Sequence, residues 1–202
     1  MMKVTRSMRK TLLATPLLAL ALSGALSACV SLSPKAPPTL LSLTPDAAPT
    51  TGAVARGSYA DALAVLEPTA DARVAVLRVP VQIDAANVAY LKKAVWVERP
   101  SRQFQHLLAE TLRARGNRLV VESDTGSNGL KITGRLLDMG YDASTSSAVV
   151  RFDATKEFSG GKVETRRFES IVPGVKADAA SVGPALNQAA NAVAKDVADW
   201  VG

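Results

Sequence analysis

The chain has one cysteine, Cys29, and it closes a Leu26-Ser27-Ala28-Cys29 quartet at the end of a basic and then apolar leader. Lys3, Arg6, Arg9 and Lys10 carry the charge, and the apolar stretch runs from Leu12 to Leu26, broken only by Thr15, Pro16, Ser23 and Gly24. A basic start, an apolar middle and small residues at the cut are the layout of an export signal. The apolar run is shorter than the ~18 residues a membrane-crossing helix needs, and Pro16 interrupts it. The consequence for folding is strong. Residues 1–28 leave as signal peptide, the thiol sits at the new amino terminus, and about 170 residues form one domain with a real core. With Cys29 used up, no disulfide can form, so packing alone must hold the fold.

A cut just before the cysteine resembles a bacterial lipoprotein signal, with residues 26–29 as the lipobox. The Cys29 thiol would then take a diacylglyceryl group and its amine a further acyl chain. Several chains, each adding about 0.8 kcal/mol per buried CH₂, give a stable anchor where one would be marginal. An ordinary signal with a coincidental cysteine is the competing reading.

The anchor changes what the charge means. Formal charge is +6, from 24 Lys and Arg against 18 Asp and Glu, and the sequence pI is 9.7. Loss of the four leader cations leaves 20 basic residues against 18 acidic. No run of Lys or Arg interleaved with aromatics remains, so nucleic acid is not an expected partner.

Residues 29–38 hold Pro34, Pro37 and Pro38 and read as an extended tether to a domain at 39–202. In that domain Thr39–Leu43 reads as a first strand, and 44–58 as a mobile or draped loop. Leu63–Leu66 and Arg73–Val79 read as strands, the second apolar on both faces like a central one. Asn87–Leu91 and Ala94–Glu98 suggest a hairpin around Lys92-Lys93. Ser101 is a candidate helix cap and Gly116 a helix stop, with Phe104, Leu107, Leu108, Thr111 and Leu112 on one face between them. Arg118–Glu122 returns as a strand. Leu130–Leu136, Val149–Phe158 and Val163–Val172 are β-type runs, the first two alternating and the last reached through Ser159-Gly160-Gly161. Their polar alternate face must meet water or a partner. The closing helix, 178–200, buries Val182, Leu186, Ala189, Val193, Val197 and Trp200, with Asn187, Asn191, Lys195 and Asp199 off the stripe. The fold class expected is α/β, a mixed sheet packed by two main helices in a single domain.

Little in this inventory suggests bond-making chemistry. His106, the sole histidine, lies mid-helix without a nucleophile motif and reads as a half-exposed helix residue. A zinc site would rest on carboxylates alone. Asp138, Asp142 and Asp153 fall around a strand pair, where solvated carboxylates are ordinary. No cofactor and no catalytic residue are expected. Tyr90 and Trp96 have two readings: aromatics that cover the sheet, or an exposed anchor for a partner.

Leu66-Glu67-Pro68-Thr69-Ala70, Arg73-Val74-Ala75-Val76, Ala89-Tyr90-Leu91-Lys92-Lys93-Ala94-Val95-Trp96 and Arg99-Pro100 before a Leu-rich helix resemble the ABC-type transport auxiliary lipoprotein family. Arg167-Phe168, Val172-Pro173 and the Ala-rich last helix fit it too. The resemblance spans roughly Cys29 to Trp200. It implies an α/β sandwich with a mixed sheet and a role without catalysis. The partner would be the subunit of an ABC transporter that carries a mammalian-cell-entry (MCE) domain, in systems moving phospholipids or other apolar molecules between inner and outer membranes. Val30 and Ser31 include no aspartate, which in the familiar sorting rule favours the periplasmic face of the outer membrane over inner-membrane retention. Two other classes stay open: a lipoprotein scaffold or activator of cell-envelope assembly (cell-wall synthase activator, or like the TolB amino-terminal domain), and a periplasmic hydrolase. A homo-oligomer also stays open.

Overall fold

In the computed structural model, residues 39–116 and 118–202 are described. The expected signal peptide, the expected lipobox with Cys29 and the expected tether to residue 38 lie outside the described residues. The strands are β1 (Leu63–Val65), β2 (Thr69–Ala70), β3 (Arg78–Gln82), β4 (Val88–Val95), β5 (Val120–Val121), β6 (Lys131–Asp142), β7 (Ser147–Glu157) and β8 (Val163–Val172). The helices are α1 (Pro100–Arg113) and α2 (Ala179–Val201). All eight strands form one mixed sheet built on the long strand β6.

One edge of β6 is lined in turn by β1, β2 and β3, all parallel to it. Its other edge pairs with antiparallel β7, and β7 with antiparallel β8. β5 extends the sheet beyond β1, and β4 beyond β3. Alternation sorts the side chains. Ile132, Leu136, Met139, Val150, Phe152, Ala154 and Phe168 face the helices and are buried. Phe104 of α1 meets Phe152 edge-on at 5.0 Å, and Trp200 of α2 lies 5.7 Å from Phe168. Both helices therefore cover the same face. Gly134 is required at the centre: a Cβ there would sit 2.0 Å from the Asp153 carbonyl oxygen.

Between Leu136 and Asp138 the register of β6 shifts by one residue against β7. The bulge absorbs Leu137 and keeps Met139 on the core side. This carries β6 to Asp142, beyond the expected end at Leu136. The α1 stripe and the α2 stripe are buried as their periodicity predicts, with Trp200 half-buried. Asp178 caps α2 through Ser181 N–H, and Gly116 turns left-handed (φ +67°) after α1.

Several local expectations are corrected. Residues 73–77 are a turn, not a central strand; Val74 alone is fully buried there, and Leu77 is exposed. The hairpin joins β3 to β4 across 83–87, while Lys93 bulges within β4 at φ +62°. Ser101 lies inside α1 and donates to Glu67, and the cap position is Arg99. Leu41 makes a single bridge to Trp96 instead of a strand. The segment after it is pinned. Leu43, Thr44 and Asp46 donate backbone N–H groups to the side-chain oxygens of Gln103, Asn187 and Asn191, each at 2.8 Å.

Candidate functional site

The sheet face away from the helices is paved by cross-strand ladders of alternating sign. Arg135, Asp153 and Arg167 stand in register on β6, β7 and β8, and one position along stand Asp138, Arg151 and Glu169. Thr133, Thr155 and Thr165 form the next rung. Arg167 holds Asp153 in a bidentate pair at 2.6 and 2.7 Å. Those hydrogen bonds hold the Asp153 carboxyl below its ordinary range. Arg151 pairs with Glu169, and Arg135 reaches Asp71 at 2.6 Å. Opposed charges at directly facing positions stabilise a sheet; like charges there would not.

At the β3 end of this face lies a hollow of about 520 Å³ lined by Arg73, Gln82, Asp138, Asp142 and Arg151 among others. The 71–75 turn drops Arg73 into it. Its guanidinium meets Asp138 Oδ2 at 3.0 Å, the bulge carbonyl of Leu137 at 3.3 Å, and Gln82 Oε1. Burial pushes the Asp138 carboxyl up, although Arg73 and Arg151 pull it down. Asp138 was legible only as a strand carboxylate, and Arg73 sits on the turn before β3 and not on the expected strand.

The two aromatics singled out from the sequence part company. Tyr90 sits half-buried on β4 under the Arg78 guanidinium, 4.0 Å from its ring centre. It lines a surface hollow of about 360 Å³ with Lys92, Lys93 and the start of α2. Trp96 is 1% exposed and belongs to the core. Its bridge to Leu41 and its packing beneath that segment leave it no surface to offer, so the anchor reading is corrected for this residue. His106 is half-exposed on α1, with Nδ1 on Glu122, which also pairs with Arg113 at 2.8 Å. Among the described residues, no group of three or more His, Cys, Asp or Glu is placed to hold a metal. Cys29 lies outside them.

A mixed sheet with helices on one face and a charge-paired polar face on the other defines an α/β domain with an extended polar surface. Residues 41–198 match the family of ABC-type transport auxiliary lipoprotein components, and the chain belongs to that family. The fold is shared with protein XCC0632 from Xanthomonas campestris, described as family DUF330 (TM-score 0.68, 19% identity, covering 81% of this chain and 94% of that one). It is shared too with the crystal structure of an uncharacterized protein (TM-score 0.63, 13% identity, covering 74% and 97%). Comparison with curated proteins gives no match.

Proposed function

We propose that this chain is the membrane-anchored periplasmic auxiliary component of an ABC transport system with an MCE-domain subunit. It would help move lipids or other apolar molecules between inner and outer membranes, without catalysing a reaction itself. The observation that carries the reading is the family match over 41–198, joined to the lipobox ending at Cys29. A tether at roughly 3.1 Å per residue keeps the domain within ~30 Å of the membrane that holds the acylated cysteine. From there it holds another component through protein surface. The β3–β4 hairpin around Tyr90 is our candidate for part of that contact, since the ring is partly open and lies beside exposed Lys92 and Lys93.

Cells lacking the chain, restored with wild type or with Cys29→Ser, test the reading through movement of labelled phospholipid between the two membranes. Wild type should restore movement, and the unacylated Cys29→Ser form, unprocessed or soluble in the periplasm, should not. Equal restoration by both would overturn a tethered role.

A further inference from the structure

We propose that the outer edge of β8 is a self-association site, pairing antiparallel with β8 of a second copy about a two-fold axis through Phe168. Among the described residues β8 pairs only with β7, so a strand from Val163 to Val172 presents an open row of backbone donors and acceptors. An edge of that length attracts another strand unless its side chains forbid it. Here one arrangement pairs both polar-face charges of the strand, Arg167 and Glu169, with their opposites. With the axis at Phe168, Arg167 faces Glu169 of the second copy and Glu169 faces its Arg167. The ladder then runs Arg135, Asp153, Arg167, followed by Glu169, Arg151 and Asp138 of the second copy, so the signs alternate across all six strands. The symmetric ladder does the same.

Other registers are penalised. Moving the axis to Arg167 or to Glu169 sets like charges face to face, which is destabilising. Moving it by half a residue sets Phe168 against Arg167 or Glu169 of the second copy and puts the two polar faces on opposite sides of the joined sheet. The chosen axis keeps every side chain on its own face and pairs Thr165 with Ile171, both exposed. A two-fold contact of this kind is closed, so it gives dimers and not fibres. An edge pairing alone buries less than a standard interface of about 1,600 Å², so the dimer should be concentration-dependent.

Disulfide trapping of the full chain reads the register directly. Thr165→Cys and Ile171→Cys each add one thiol at an exposed position. Within one β8 the two lie about 20 Å apart at the usual strand rise, beyond the reach of a disulfide, as are like positions across the proposed axis. Co-expressing the two single variants should give a cross-linked dimer. Either variant alone should stay at the background of the wild type, whose one thiol is Cys29. Cross-linking in a single variant would mean another register and would overturn the proposal. So would a co-expressed pair that does not link, or one that links β8 to a different protein by mass. Sedimentation of the wild-type full chain in detergent gives a second readout: dimer growing with concentration is expected, and monomer throughout overturns the proposal.

Discussion

Asn191 lies off the apolar stripe of α2, and by helical phase alone Asn191→Ala should shift stability by only about 0.5 kcal/mol. The structure gives a different answer. Asn191 is 8% exposed. Its Oδ1 accepts from Asp46 N–H at 2.8 Å, and its Nδ2 donates to the Thr44 carbonyl at 2.9 Å and to the Asn187 carbonyl at 3.0 Å. Two of the three bonds tie the entering segment to the helix. At about 1 kcal/mol each, their loss costs roughly 2 kcal/mol. Better helix propensity of alanine returns about 0.5 kcal/mol, so a net loss of about 1–2 kcal/mol is expected. Urea denaturation measures it, with the slope unchanged. Hydrogen exchange should also quicken at the Asp46 amide while that of Leu63 is unaffected. A loss below 0.5 kcal/mol with unchanged exchange at Asp46 would refute the reasoning.

Leu186→Ala removes a fully buried side chain and should cost about 2–5 kcal/mol by the same denaturation assay; an effect no larger than that of exposed Lys195→Ala would mean the core is misplaced. Trp96→Ala should cost about 3–5 kcal/mol, whereas Tyr90→Ala should leave the melting curve nearly in place; the reverse ranking would return Trp96 to the surface. Asp153 has its pKa lowered in the fold, so its contribution is present above the unfolded value of about 3.9 and is lost as pH falls through the folded value. The stability gap between wild type and Asp153→Asn should therefore narrow as pH falls below about 4, and a gap that does not change with acidification would contradict the pairing with Arg167. Asp138 has the opposite sign: its raised pKa gives a contribution present in acid and lost as pH rises through the folded value, so Asp138→Asn should lose less stability than wild type as pH rises from about 4.

What the sequence revealed depended on how local the determining contacts are. β8 was legible to the residue because its determinants are local: a run rich in β-formers follows a two-glycine turn, with Gly160 and Gly161 both at positive φ. The α2 stripe was legible for the same reason at helical period. The 73–77 turn was not, because five mostly apolar residues look like a strand whether or not the backbone extends. Asn191 was opaque because its partner Thr44 lies 147 residues away in sequence. Trp96 was ambiguous because a tryptophan before a helix can cover a core or a partner; the bridge from Leu41 decides it. On the polar face the carboxylates Asp138, Asp142 and Asp153 stood out in the sequence. Setting Asp138 opposite Arg151 needed the bulge at Leu137, which no local pattern announces.

The central claim is that the chain serves a transporter by holding one of its components. Capture of the full-length, lipid-anchored chain from crosslinked cells, with mass spectrometry of what comes with it, tests that claim most directly. The account predicts an MCE-domain subunit together with its permease and ATPase, and less of all three from the Tyr90→Ala strain at equal protein level. Recovery of no transporter subunit, from a purified chain that turns over a lipid or glycan, would contradict it.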